Sequence, residues 1–286
     1  MMALELNKRI IELPEVKLAL YESQLGRDTR LICVHGGPGL DHASLLPGIA
    51  KLSEQFDLTF LDLRGHGKSS DPLNSDFSLD SYAGDIQHLA LNYPKQRLGL
   101  FGHSFGGSVT LRALANSPKV FTFGVLCNSP IDSEYQKTSG AAVDKLVTDR
   151  SKDKIYSKFG ADRHKDESYR SLMMDLGPMY FPEWSRNKIE EQMGTWTFRV
   201  KPYNSAVEHI FPNLNSAADC SKIAAPVLII SGRLDELIPW SHVMRFKNAL
   251  RNSTLIQVEG GHFPFASGAD NFCEQIFQWW KIQRKA

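Results

Sequence analysis

Residues 98–107 read Leu-Gly-Leu-Phe-Gly-His-Ser-Phe-Gly-Gly, with Ser104 set between Gly102 and Gly106. A serine hydroxyl is a weak nucleophile until a base takes its proton. It must also be held clear of its own backbone, which needs a sharp turn. Glycine two residues to either side allows that turn, because strand and helix can then pass with no side chain between them. The residues before Ser104 read as a short buried strand, and 108–116 continue at helical spacing. A glycine-rich turn carrying an idle serine is the alternative. The pattern therefore points to a nucleophile only if a base, an acid and an oxyanion-binding loop occur elsewhere in the chain.

Three further stretches offer them. His35-Gly36-Gly37-Pro38-Gly39 follows an apolar run at 31–34 and must form a loop, which can turn amide N–H groups outward. It is either a tight turn or half of an oxyanion hole, with the amides of Gly37 and Phe105 as the expected donors. Asp235 and Glu236 follow the strand-like run 226–231, and His262 follows 254–258. In this reading His262 accepts the Ser104 proton and later returns it to the leaving group, while Asp235 fixes the histidine tautomer and stabilises the imidazolium. His103 adjoins Ser104, but neighbours on such a turn point apart, so it is expected to pack or hydrogen-bond. Asp132, just beyond the run 121–127, is the alternative acid. The polar turn Asp62-Leu63-Arg64-Gly65-His66-Gly67 lacks the spacing of a phosphate-binding loop. It is expected to brace the site, with Asp62 paired to Arg64.

These groups need a scaffold that brings distant positions together. Helical spacing is expected at 43–52, from a cap at Ser78 or Asp80 to the stop at Pro94, at 241–250 and at 269–283. Helices alternating with strands imply an α/β fold, a mostly parallel central sheet flanked by helices, with ligands bound at the carboxyl ends of the strands. Every candidate group follows a strand. Between 131 and 216 the texture changes, with more charge, irregularly spaced aromatic residues and methionines, and no strand-like run. This segment is expected to be a helical cap inserted between core segments 1–130 and 217–286. Met173, Met174, Met179, Tyr180, Phe181, Trp184, Trp196 and Phe198 would either roof a pocket or form the cap's own core.

Composition removes other classes. The 286 residues carry a net charge of +1, which offers no basic face for nucleic acid and no polybasic arm for a membrane surface. Glu5, Lys8, Arg9 and Glu12 interrupt the apolar run that a signal peptide needs, and a cytoplasmic protein is expected. Cys33, Cys127, Cys220 and Cys273 are scattered and read as free thiols. Neither the cysteines nor the nine histidines show metal-ligand spacing, so no metal and no cofactor is expected.

With serine, acid and histidine in that order, each after a strand, the chain resembles the α/β-hydrolase superfamily over nearly its whole length. Within it, His35 to Gly39 and the Asp235-Glu236 pair resemble the proline iminopeptidase group of serine peptidases, family S33. That resemblance implies that Glu236 and a cap glutamate, matched by Glu208, bind the free amino group of a peptide; Gly36, on the glycine loop, is a further expected substrate-binding residue. The chain departs from that group in placing His103 and Phe105 around the serine, and Leu63 where glutamine is usual, a form more like general esterases. The expectation is a cofactor-independent serine hydrolase working through an acyl-enzyme on a small ester, amide or short peptide, best matched to an iminopeptidase-like aminopeptidase. The alternatives are a carboxylesterase, a hydrolase of carbon–carbon bonds, a perhydrolase, or a ligand-binding receptor on the same fold.

Overall fold

Strands covered on both faces can be apolar throughout, and the runs at 31–34 and 121–127 lie in the interior of an eight-stranded sheet. The structure, a computed structural model, describes residues 4–46, 48–137, 139–140 and 163–284. The strands are β1 (Asn7–Glu12), β2 (Lys17–Glu22), β3 (Thr29–Val34), β4 (Asp57–Leu61), β5 (Arg97–His103), β6 (Phe121–Cys127), β7 (Val227–Gly232) and β8 (Ser253–Val258). They lie in the order β1-β2-β4-β3-β5-β6-β7-β8. β1 and β2 join by antiparallel pairing, and all the pairs from β4 to β8 are parallel.

Register explains why the candidate groups converge. Val34 pairs with Gly102, His103 with Cys127, Cys127 with Ile230, and Gly232 with Val258. The loops after β3, β5, β6, β7 and β8 therefore leave the sheet at one edge. Apolar cores fill both faces. One packs α1 (Leu79–Ala90) and α2 (Phe105–Asn116) through residues such as Ile86, Val109 and Leu111. The other packs the last helix, Ala269–Gln283, through Phe272, Ile276 and Trp280.

Two local expectations change. β1 is a strand that periodicity did not reveal, because its outward positions carry charge and it lies at the sheet margin, half exposed. Such charges suit an edge strand, since they discourage pairing with another chain. The helix expected at 43–52 is instead two short 3₁₀ turns, His42–Leu45 and Ala50–Glu54. Pro47 and Gly48 lie between them in sequence, and neither residue type sustains a helix. At α1 the cap is Ser78, whose hydroxyl accepts from the Ser81 amide.

Between β6 and β7 the described residues are mainly helical, including Asp166–Asp175, Gly177–Tyr180, Arg186–Gly194 and Val200–Ser205. Part of the segment expected to be a cap, residue 138 and residues 141–162, lies outside the described residues. The chain leaves and returns side by side, with Asp132 bridged to Asn215 and the Ser216 amide donating to Ile131 at 2.9 Å. Among the described residues no helix is long and apolar enough to cross a membrane.

Glycine at 106 is what allows α2 to start against β3: a methyl group there would run into the carbonyl oxygens of Val34 and His35. Backbone cannot yield as a side-chain tip can. Gly106→Ala is therefore expected to lower stability by about 1–3 kcal/mol, read as a reduced midpoint in chemical denaturation. An unchanged midpoint would contradict this packing.

Candidate active site

Ser104 sits between β5 and α2 at φ 52°, ψ −122°, a conformation that side chains seldom adopt. Its amide donates to Cys127 at 2.9 Å and its carbonyl accepts from Gly107 at 2.8 Å. The turn is thus tied to β6 on one side and closed onto α2 on the other. Gly102 supplies the room, since a Cβ there would meet Thr110 and the Gly106 backbone.

The hydroxyl meets a continuous relay. Ser104 Oγ is 2.9 Å from His262 Nε2, and His262 Nδ1 is 2.9 Å from Asp235 Oδ2. A carboxylate only accepts, so Nδ1 carries the imidazole hydrogen and Nε2 is left to accept from the serine. The other oxygen of Asp235 accepts the amides of Leu237 and Ile238 at 2.9 and 3.1 Å. The acid is thereby aimed before any ligand arrives.

His262 is held through its backbone as well. Its amide donates to the Tyr180 carbonyl at 3.1 Å. Its carbonyl accepts from His103 Nε2 at 2.8 Å and from Asn128 Nδ2 at 2.9 Å. Asn128 stands at φ 46° and also receives the Gly232 amide on Oδ1 at 2.8 Å. One buried amide side chain therefore links the loops after β6, β7 and β8. Asparagine tolerates this left-handed conformation better than most residues. Sequence reasoning missed Asn128; its only local signal was a polar residue at the end of an apolar strand.

The oxyanion candidates flank the serine. Phe105 opens α2, so its amide has no acceptor four residues back within that helix. Gly36 packs on the serine turn, where a side chain would strike His103 and the Ser104 Cβ. Gly37 is at φ 121° and lines the same cavity as Ser104 and His262. Two contacts from the helical insertion fasten this loop. The Tyr169 hydroxyl donates to the Pro38 carbonyl at 2.5 Å, and the Arg199 amide to the Gly39 carbonyl at 2.8 Å.

That cavity encloses about 330 Å³. Met173, Met179 and Tyr180 line it, whereas Phe181 stacks on Trp184 and on Phe263 beside the histidine, and Trp196 packs at a tilt against Phe263. Among its described lining residues there is no Asp, Glu, Lys or Arg. Neither glutamate matched to an amine site reaches it. Glu208 lies in an outer groove with His164 and Lys201, half exposed and facing Arg163 at 3.9 Å, because its turn presents it outward. Glu236 is exposed on the loop beyond Asp235, whose own carboxylate turns inward.

Other assignments also change. Asp62 does not pair with Arg64. Its Oδ1 accepts from the His42 amide and Nδ1 at 3.0 and 2.8 Å, and Oδ2 from the Lys68 amide at 2.9 Å. Arg64 forms a two-pronged pair with Asp85 of α1, both contacts 2.7 Å. Burial by itself would raise the Asp62 carboxyl, but the hydrogen bonds from His42 and Lys68 outweigh it and leave it below its ordinary range. Asp132 pairs with Arg245, away from His262. Asp41, His42 and Asp62 bring potential metal-ligand atoms within 4.8 Å of one another, although Asp62 already spends both oxygens on hydrogen bonds. The four cysteines are buried and free.

The family model for the alpha/beta hydrolase fold matches residues 29–269, and the chain belongs to that family. It is 24% identical over 263 residues to a proline iminopeptidase of Saccharolobus solfataricus, covering 88% of this chain and 84% of that protein. It is 24% identical over 264 residues to a pimeloyl-[acyl-carrier protein] methyl ester esterase of Aliivibrio salmonicida, covering 90% and 94%. Among solved structures, the proline iminopeptidase of Mycobacterium smegmatis superposes with a TM-score of 0.76 at 16% identity, covering 97% of this chain and 98% of that one.

The buried histidines behind the site give it a pH signature. Burial lowers His35 to about 4 and His66 to about 3, and holds His103 well below its ordinary value of 6.5. All three are neutral when folded, whereas the unfolded chain protonates them near 6.5. As pH falls below about 6.5 the unfolded state binds more protons, so stability drops until the folded imidazoles titrate, at about 4 for His35. Each histidine contributes up to about 1.4 kcal/mol per pH unit. Denaturation midpoints are expected to fall steadily across this window; a flat profile would contradict three neutral buried imidazoles.

Proposed function

We propose that this chain is a cofactor-independent serine hydrolase that cleaves small, uncharged esters through an acyl-enzyme. The observation that carries the reading is the Asp235–His262–Ser104 relay, with both links at 2.9 Å, opening onto a cavity whose described lining is uncharged. Ser104 Oγ attacks the ester carbonyl carbon as His262 Nε2 takes its proton, and the displaced electron pair moves onto the carbonyl oxygen. The amides of Gly37 and Phe105 are the donors for that oxyanion. Collapse expels the alkoxide, which leaves as alcohol with the proton from His262. Water repeats the sequence on the acyl-serine, releasing the carboxylic acid and restoring Ser104. Asp235 keeps the imidazole in its working tautomer and stabilises it while charged.

The absence of charge among the described lining residues also favours an ester over a free-amine peptide. A buried ammonium needs carboxylate partners, and without them its desolvation is not offset. Glu208 faces the outer groove and Glu236 is exposed, so the pair expected from the iminopeptidase resemblance is not assembled over Ser104. The helical insertion acts as a cap in this reading, setting the size of the group admitted.

Kinetics on short-chain nitrophenyl esters, beside aminoacyl naphthylamides with and without a free amine, test the proposal. Ser104→Ala is expected to cut kcat by about 10⁴–10⁶ while leaving the thermal midpoint in place, and Asp235→Asn by about 10⁴. The wild type is expected to prefer the esters in kcat/KM. A preference for the free-amine naphthylamides would return the aminopeptidase reading, and saturable binding without turnover would make the chain a receptor.

A further inference from the structure

The carbonyl of His262 takes two buried side-chain donors, and they are not equivalent. His103 Nε2, at 2.8 Å, ties the base to the strand that leads into Ser104. Asn128 reaches further. Its Nδ2 donates to the Gly261 and His262 carbonyls at 3.1 and 2.9 Å, while its Oδ1 accepts the Gly232 amide at 2.8 Å. Gly232 ends β7 and opens the turn to Asp235, whose amide returns to the Gly232 carbonyl at 3.2 Å. One side chain therefore bonds both to the segment that carries the acid and to the segment that carries the base.

Resting on the serine-hydrolase reading above, we propose that Asn128 is a positioning residue that keeps Asp235 and His262 in register, and that it acts on the reaction through the bond between those two side chains. Three observations carry this. The first is its chemistry: two carbonyls and one amide call for two hydrogens and a lone pair from one planar group, which a carboxamide supplies and a carboxylate does not. The second is its place. The two segments are also laced by the Arg233 amide to the Val258 carbonyl at 2.8 Å and the Leu234 amide to the Gly260 carbonyl at 2.9 Å. Those bonds stop before Gly261, and Asn128 supplies the tie at Gly261 and His262, next to the imidazole. The third is its backbone: Asn128 is buried at φ 46°, a conformation that a side chain keeps only where its surroundings over-determine it.

Packing decides what the tie controls. A Cβ on Gly232 would stand 2.2 Å from the Gly261 carbonyl oxygen and 2.7 Å from that of Gly260, so the two backbones already touch. A Cβ on Gly261 would in turn strike Pro182 of the helical insertion at 2.3 Å. With the segments in contact, Asn128 governs how one slides along the other rather than how far apart they stand. A slide moves His262 Nδ1 off Asp235 Oδ2, which are 2.9 Å apart in register. Asn128 is not among the residues that line the cavity over Ser104. Its loss is therefore felt in turnover and not in substrate binding.

A double-mutant cycle on a short-chain nitrophenyl ester tests the role. Asn128→Gly accepts the backbone conformation and removes all three bonds; Asn128→Asp keeps the size but sets an oxygen against two carbonyls. Each is measured alone and combined with Asp235→Asn, with rates taken per folded protein. Alone, Asn128→Gly is expected to lower kcat by about 10²-fold, the scale of a misplacement of about 1 Å, with KM little changed, and Asn128→Asp to lower it at least as far. In the Asp235→Asn background the same substitutions are expected to cost less than about threefold, because the bond through which they act is already impaired. Should Asn128→Gly fail to fold, the cycle with Asn128→Asp makes the same comparison. Equal losses in the two backgrounds, a loss confined to KM, or an unchanged kcat in a folded variant would overturn the positioning role while leaving Ser104-dependent hydrolysis intact. No Ser104-dependent turnover by the wild type would instead overturn the reading on which the role rests.

Discussion

The backbone of His262 is where the whole arrangement is held. Its amide is taken by Tyr180 of the insertion, and its carbonyl by His103 at the end of β5 and Asn128 beyond β6. Its side chain is taken by Asp235 on the loop after β7. A histidine on a free loop would sample many rotamers and reach Ser104 rarely, at an entropic cost for each attempt. Here ordering is supplied by folding, since buried backbone groups must find partners in any case. The relay geometry is a by-product of satisfying the backbone of one buried residue from three separate elements.

The same economy governs the loop on the other side of the serine. Backbone at 36–39 turns away from regular pairing, and Tyr169 and Arg199 of the insertion accept the task of satisfying Pro38 and Gly39. Removing the helical segment would therefore loosen both His262 and the loop at 36–39, besides opening the cavity. Phe263, next to His262, packs against Phe181 and Trp196, so the apolar core of the insertion is continuous with the base loop.

Much of this was legible in local pattern. Buried apolar runs, the glycines around Ser104 and the polar loops after strands are all short-range signals, and the sheet register converts them into one edge. What was not legible depends on partners far away in sequence. Asn128 gains its role from Gly232 and His262, more than a hundred residues on. Arg64 pairs with Asp85, twenty-one residues on, while both oxygens of its neighbour Asp62 are taken by His42 and Lys68. Glu208 carried the family pattern loosely, and only the facing of its turn, outward to Arg163, removes it from the cavity. β1 was hidden because an edge strand with charged outward positions has no apolar period to read.

The central claim is that Ser104 is made nucleophilic by His262 in the folded protein, and covalent trapping addresses it without a choice of substrate. Intact-mass measurement after brief exposure to a fluorophosphonate, followed by peptide mapping, reads which side chain attacks. The account predicts a single adduct per chain on Ser104, with labelling strongly slowed in His262→Ala. A folded protein that stays unlabelled while hydrolysing esters, or an adduct on another residue, would contradict it.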